Sequence, residues 1–158
     1  MTSESAEADP AVPLPAAPYR TGAAARDAEH LRIFTALQRL EESLGGPFPL
    51  ETLGPRLKQL EELLLDHFRH EEAFLAEAGY PLLGAHKVEH EVALDRCHAL
   101  LDRFSQPGSP PLVRLARQFQ AALLRHIGTV DRDYADFLGL GGRNQERDED
   151  AQLPASSD

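Results

Sequence analysis

Four stretches of the chain repeat apolar residues every three or four positions, and glycine or proline residues separate them. This spacing places the apolar side chains on one face of an α-helix, and no segment shows the strict alternation of a half-buried strand. On the second helix, Lys58, Glu61 and Glu62 would face water. With short connections, four such helices would form an antiparallel up-down four-helix bundle, which is an all-α fold. The predicted helices cover approximately residues 24–44, 55–78, 82–104 and 110–138.

The predicted bundle forms a single domain, residues 24–140, because a chain of 158 residues is too short for two domains of ordinary size. Residues 1–23 are rich in alanine, proline, serine and glutamate without helical periodicity, and residues 141–158 are polar and acidic. Segments of this composition have too few apolar side chains to bury. We therefore predict disordered N-terminal and C-terminal tails on either side of the bundle.

The chain is acidic, with 26 Asp and Glu residues, 16 Lys and Arg residues and a net charge of −10. This charge argues against nucleic acid and against an anionic membrane surface as partners, because both are polyanions. No apolar run reaches the roughly 20 residues that span a bilayer, and the first residues lack the features of a secretory signal. Cys97 is the only cysteine, which fits a reducing compartment. We expect a cytoplasmic protein, and the sequence indicates no particular protein partner.

Seven side chains with metal-binding chemistry fall on the core-facing stripes, and each predicted helix contributes at least one. Taken singly, each fragment is a weak signal, since His-x-x-x-His and His-x-x-x-Glu pairs often occur by chance on helices. Together they would make a costly core, because a buried ionisable group is destabilising unless it is paired or bound to a metal. Metal binding removes that cost. The seven are His30, His67, Glu71, His86, His90, His126 and Asp131.

This set of donors indicates the kind of metal. Five imidazoles and two carboxylates exceed the four ligands of a tetrahedral zinc site. They suit two six-coordinate ions that share bridging carboxylates and a solvent-derived bridge. Iron accepts mixed imidazole and carboxylate ligands, whereas calcium and magnesium prefer oxygen ligands. The residues therefore indicate two iron ions.

The order and spacing of these residues resemble those of the hemerythrins, most of all the bacterial single-domain forms built on an HHE cation-binding domain. The resemblance covers about residues 24–139, and all seven ligand positions of the family pattern are filled in order. It rests on His30, His67-Phe68-x-x-Glu71-Glu72, Tyr80-Pro81, His86-x-x-x-His90 and His126-Ile127-x-x-x-Asp131.

The resemblance implies a non-haem di-iron centre with two unequal iron ions. The iron held by two histidines would keep one open position, where dioxygen binds in the family. The resemblance therefore implies a carrier, store or sensor that binds dioxygen reversibly, rather than an enzyme. The implied assignment places His86, His90 and His126 on one iron, His30 and His67 on the other, and Glu71 and Asp131 between them with an oxo or hydroxo bridge.

Two other functions stay open. The same centre could act as an enzyme or scavenger on peroxide or nitric oxide, and family members in iron–sulfur repair or signalling form a related alternative. An enzyme needs a proton donor at the open position, for which the sequence offers Tyr80, Tyr134 and His70. Alternatively, the metal could be a structural staple in an interaction bundle, and then no coordination position would be open.

The chain contains no tryptophan, so other apolar residues would form the wall of the metal pocket. We expect Cys97 to behave as a small buried apolar residue, His98 to lie at the boundary with solvent, and Gly128 to mark a close approach of two helices. For His70 we expect a surface pair with Asp66, one helical turn earlier, and the alternative is a supporting role behind the metal ligands. The candidates for the wall are Phe34, Leu64, Phe68, Phe119 and Ile127.

Overall fold

A computed structural model of the protein describes residues 20–45, 50–104 and 112–140. The predicted disordered tails lie outside these residues, apart from residues 20–23. Within the described residues the regular structure is helical and contains no strand, which confirms the all-α prediction. None of these helices is long and apolar enough to cross a membrane. The helices are α1 (Ala24–Gly45), a short 3-10 helix (Leu50–Thr52), α2 (Leu53–Glu77), α3 (Leu83–Phe104) and α4 (Leu112–Phe137).

The four helices form a closed up-down bundle, as the sequence predicts. α1 packs against α2, α2 against α3 and α3 against α4, and α4 returns to α1. Leu37, Leu57 and Leu60 are completely buried in the main apolar core. Burying one leucine side chain contributes about 1.5–3 kcal/mol to stability. A smaller apolar cluster, which includes Leu75 and Tyr134, lies nearer the end of the bundle where α2 and α4 finish.

Helices α2 and α4 end in the same glycine-dependent turn. Gly79 and Gly139 each have a φ of +66°, which glycine adopts without steric cost. In each turn the N–H of the residue after the glycine donates to the carbonyl five residues earlier, at 3.0 Å after α2 and 2.9 Å after α4. These bonds satisfy carbonyl groups that the helix end leaves free. The turn after α2 is short and directs α3 back along α2.

The chain enters α1 through a hydrogen-bonded turn. Asp27 accepts bonds from the Thr21 N–H at 2.7 Å, from the Thr21 hydroxyl at 2.8 Å and from the Gly22 N–H at 3.1 Å. Thr21 lies before the predicted start of the bundle and is completely buried. A Cβ at Gly22, whose φ is +91°, would lie 2.7 Å from the carbonyl oxygen of Leu140. The start of α1 is therefore packed against the end of α4.

The prediction that Glu61 faces water is wrong. Its side chain is buried, and Lys58 donates a hydrogen bond to its carboxylate. The Nε2 atom of His98 lies 2.7 Å from the same carboxylate. These two partners allow a glutamate to sit at the edge of the core.

Polar contacts help to join α4 to α1. Arg117 and Gln120, which the sequence does not place in the core, are both buried. Arg117 forms an ion pair with Glu41 at 3.0 Å, and the Gln120 amide donates to the Leu37 carbonyl at 3.2 Å. The α1–α4 interface is therefore more polar than the apolar stripes alone indicate.

Gly54→Ala is expected to destabilise the bundle by about 1–3 kcal/mol. A Cβ at residue 54 would lie 2.5 Å from Cε1 of Phe104, where the start of α2 meets the end of α3. Gly128→Ala is the matched control, because a Cβ there meets no neighbouring atom of the described chain within 4 Å. The expected close helix approach at Gly128 is therefore wrong, and alanine should stabilise α4 by up to about 1 kcal/mol. Urea denaturation measures both variants, and equal stabilities would contradict the packing at Gly54.

Candidate metal centre

All seven predicted ligand residues lie together inside the bundle, each at most 6% exposed. Their donor atoms form two overlapping sets, and within each set the atoms lie within 4.8 Å of one another. The two carboxylates, Glu71 and Asp131, belong to both sets. The two-histidine set contains His30, His67, Glu71 and Asp131, and the three-histidine set contains His86, His90, His126, Glu71 and Asp131.

The spacing within the two-histidine set fits one six-coordinate ion. The Nε2 atoms of His30 and His67 lie 3.2 Å apart. His30 Nε2 lies 3.1 Å from Asp131 Oδ2, and His67 Nε2 lies 3.7 Å from Glu71 Oε2. Neighbouring ligands at about 2.1 Å from an octahedral ion lie about 3.0 Å apart. The four side chains could therefore occupy adjacent positions around one ion.

The three-histidine set shows a similarly close spacing of nitrogen and oxygen atoms. His86 Nε2 and His90 Nε2 lie 3.1 Å and 3.2 Å from Glu71 Oε2. His126 Nε2 lies 3.0 Å from Asp131 Oδ1, although these residues are five apart on α4 and project in different directions. In both sets, each imidazole presents Nε2 to a shared carboxylate. The carboxylates thus occupy the space between the two groups of histidines.

Several donor atoms of the cluster lack a hydrogen-bond partner in the described chain. They are His90 Nε2, His126 Nε2, Glu71 Oε1 and both carboxylate oxygens of Asp131. Buried polar atoms without partners are rare, because desolvating them is costly. Metal ions bound between the two sets would provide the missing partners, so the residues present fit a metal centre.

The surroundings of both shared carboxylates hold their pKa values below the ordinary range, which favours the ionised form. Burial acts to raise the pKa of Glu71, but the close imidazoles of His86 and His90 outweigh that effect and hold the pKa well below its ordinary value. Burial and the charge of Glu71 likewise act to raise the pKa of Asp131, but the facing imidazoles of His126 and His30 outweigh both effects and lower that pKa. Two negative charges in the core would balance the positive charge of bound metal ions.

A comparison with protein families agrees with this geometry. Residues 21–138 match the family model described as the hemerythrin HHE cation binding domain. The chain belongs to the hemerythrin family. A search among solved structures gives no significant match.

Individual relatives within the hemerythrin family are identical to this chain at 28% to 33% of the aligned residues. A bacteriohemerythrin of Stenotrophomonas maltophilia is 32% identical over 110 residues, which cover 70% of this chain and 71% of that protein. A bacteriohemerythrin of Methylococcus capsulatus is 28% identical over 123 residues, 78% of this chain and 93% of that protein. A hemerythrin chain of Sipunculus nudus is 33% identical over 112 residues, 71% of this chain and 82% of that protein.

In this hemerythrin-family chain, two carboxylates outside the cluster accept hydrogen bonds from two of its histidines. Glu29 accepts a hydrogen bond from His67 Nδ1, and Glu72 accepts one from His90 Nδ1, both at 2.9 Å. A histidine that donates from Nδ1 keeps the lone pair of Nε2 available for a metal ion. The sequence pattern alone indicates no role for either carboxylate. Each contacts a histidine on the next helix, and helical spacing does not indicate such contacts.

Phe68 forms an aromatic wall of the cluster, as predicted. Its ring stacks on His90 with the centroids 3.8 Å apart, and its centroid lies 5.6 Å from that of His67 and 6.1 Å from that of His126. A small cavity of about 30 Å³ is lined in part by His126. A larger groove of about 380 Å³ between α3 and α4 is lined by none of the seven residues. The other predicted wall residues are also buried: Phe34, Leu64, Phe119 and Ile127.

The two tyrosines named as possible proton donors lie beside the three-histidine set. The ring centroids of Tyr80 and Tyr134 are 6.3 Å and 5.8 Å from that of His86. Burial and the charge of Glu71 raise the pKa of Tyr134, so its phenol is neutral. Tyr134 is also completely buried.

The predicted surface pair of His70 with Asp66 is wrong. His70 Nδ1 donates to Glu29 Oε1 at 2.7 Å, whereas Asp66 pairs with Arg69 at 2.9 Å. Asp66 is one helical turn from His70 on the same helix, but Glu29 reaches it from α1. His70 is therefore linked through Glu29 to the cluster.

Cys97 is completely buried, as predicted. Burial, together with the nearby charge of Glu61, raises the pKa of its thiol to about 12. The thiolate is therefore absent at neutral pH, and Cys97 acts as a small apolar residue of the core. His98 is half exposed and lies at the boundary with solvent.

Proposed function

We propose that the cluster holds two iron ions. At one iron, three histidines, two bridging carboxylates and one solvent-derived bridge would complete six-coordination. At the other iron, two histidines and the same three bridges would supply only five ligands. The support is that the two carboxylates belong to both donor sets while the histidines divide three to two. The proposed ligands are His86, His90 and His126 on the first iron, His30 and His67 on the second, and Glu71 and Asp131 as bridges.

The unequal division of the histidines between the two iron ions is the main support for the proposed function. The two-histidine iron keeps one position for a small exogenous ligand, and we infer that the ligand is dioxygen. Relatives at modest identity are bacteriohemerythrins and a hemerythrin. The centre, when bound, supplies two ferrous ions that can together donate two electrons to dioxygen. The protein would thus be a carrier, store or sensor of dioxygen.

The surroundings of the cluster favour reversible binding over consumption of dioxygen. Phe34 and Leu64, one helical turn from His30 and His67, are buried apolar residues that keep water from the two-histidine set. In the described chain, the ring contacts of Tyr80 and Tyr134 with the cluster are made to His86, on the other side. Both rings therefore lie on the side of the three-histidine set, and the Tyr134 hydroxyl interacts with Glu71, which the two sets share.

Absorption spectroscopy of the iron-loaded protein tests this function. The protein is reduced without oxygen, then aired, then degassed, and its iron content is measured. We expect about two iron ions per chain and a visible charge-transfer band that appears in air and disappears on degassing. A single irreversible change to an oxidised spectrum would show that oxygen is consumed. An iron content well below two per chain would contradict the ligand assignment itself.

A further inference from the structure

One carboxylate connects an exposed histidine to the two-histidine set. Glu29 accepts a hydrogen bond from His67 Nδ1 through Oε2 at 2.9 Å and one from His70 Nδ1 through Oε1 at 2.7 Å. Arg26 Nη1 also lies 3.2 Å from Oε2. The side chains of His67, Glu29 and His70 are 1%, 14% and 47% exposed, so the three residues lead from the core to the surface.

This arrangement leaves Glu29 little freedom. Each carboxylate oxygen is engaged by a different imidazole, and Arg26 restrains the oxygen that faces His67. A carboxylate held at both oxygens fixes the ring orientation of the histidine that donates to it. The His67 ring is thereby kept with Nε2 toward Glu71 and His30.

We propose that Glu29 is a positioning residue for His67, and that His70 holds Glu29 in place from the surface. The inference rests on the proposed function, because it concerns the iron with the open position. That iron has only two histidines, so a misoriented His67 would remove half of its imidazole ligands. Through these contacts the exposed side chain of His70 affects how tightly the iron with the open position is bound.

The other outer carboxylate differs in its surface partner. Glu72 accepts a hydrogen bond from His90 Nδ1 at 2.9 Å, but its nearby cation is the half-exposed Lys87 at 3.6 Å. A lysine ammonium on a flexible stem restrains a carboxylate less than a hydrogen-bonded imidazole does. His90 also belongs to the three-histidine set, whose iron keeps two other imidazoles. The effect at Glu29 should therefore exceed the effect at Glu72.

Transfer of iron from the loaded protein to a chelator tests the proposal. We expect Glu29→Ala to release one of its two iron ions about 10–100 times faster than the wild type, and the second iron at the ordinary rate. Glu29→Gln should restore part of the difference, because its amide oxygen can still accept from His67. His70→Gln should release the same iron several times faster. His98→Gln is the matched control, because His98 is also half exposed and pairs with a buried glutamate at 2.7 Å, away from the cluster.

Azide provides a readout that a purely structural role would not affect. Added to the oxidised iron-loaded protein, azide reports on the open position through its charge-transfer band. We expect that band to shift in Glu29→Ala and, less strongly, in His70→Gln, but not in His98→Gln. A loss of packing alone would lower the melting temperature and leave the band in place.

The outcomes separate the two proposals. If wild-type protein binds two iron ions and dioxygen reversibly, but Glu29→Ala matches His98→Gln in iron release and in the azide band, only the positioning role is overturned. If the wild type does not hold two iron ions, the proposed function fails and this inference fails with it.

Discussion

Glu71→Gln is expected to empty both metal positions, while Glu61→Gln leaves both filled. The Oε2 atom of Glu71 lies within 3.7 Å of Nε2 of His67, His86 and His90, and Glu71 belongs to both donor sets. Glutamine keeps the volume but removes the charge and the bridging capacity. Because the change removes a proposed direct ligand, the affinity for iron should fall by more than the roughly 10–100-fold that is typical of outer partners. Iron per chain after gel filtration is the measurement.

Glu61 makes a close control for that experiment. It lies on the same helix, is buried to a similar degree and also accepts hydrogen bonds from a histidine and a second partner. Glu61→Gln therefore removes one buried negative charge without removing a proposed ligand. Two iron ions retained in Glu71→Gln would disprove the bridging assignment. Loss of iron from both variants would instead trace the effect to the stability of α2.

Removal of iron is expected to lower the melting temperature by about 10–20 °C. Without metal, seven ionisable side chains remain in the core and several of their atoms have no hydrogen-bond partner in the described chain. A ligand present at about 1,000 times its dissociation constant stabilises the folded state by about 4 kcal/mol. For a domain of this size, each kcal/mol corresponds to several degrees (about 3–5 °C). Far-ultraviolet circular dichroism of loaded, chelated and reloaded protein measures the difference.

The Glu71→Gln variant also serves as the control for this comparison. Iron added to that variant should leave its melting temperature unchanged, because it lacks the shared carboxylate. Identical melting temperatures for loaded and chelated wild-type protein would mean that the bundle tolerates the empty cluster. The stabilising role of the metal would then be refuted, whatever the iron content.

The helices could be predicted from sequence because their limits are marked by strong local signals. Gly79 and Gly139 end α2 and α4 in turns that only a left-handed residue allows, and the predicted bounds agree with the observed helices to within a few residues. The gathering of the seven residues also follows from helical geometry. Residues four apart face the same way, so His67 with Glu71 and His86 with His90 each present two donors to one interior.

The missed features depend on how one helix is rotated against the next. Glu29, His70 and Glu61 all lie on the flanks of their helices, where spacing alone cannot distinguish water from a neighbouring side chain. The predicted pairing of His70 is wrong for this reason, because the acid nearest in sequence is not the acid nearest in space. At Gly128 the error is the reverse, because the sequence predicts a contact that the described chain does not make. A small residue beside the cluster suggests tight packing, but the space around its Cβ position is open.

The contact of Gly22 with Leu140 means that the two ends of the folded unit are neighbours. Such proximity is what circular permutation and domain insertion require. A short linker joining residue 140 to residue 21 could close the chain, and new termini could be opened in the connection between α1 and α2. The bundle could likewise be inserted as a cassette into a surface loop of another protein. In either rearrangement, all four helices and the seven residues of the cluster would keep their relative positions.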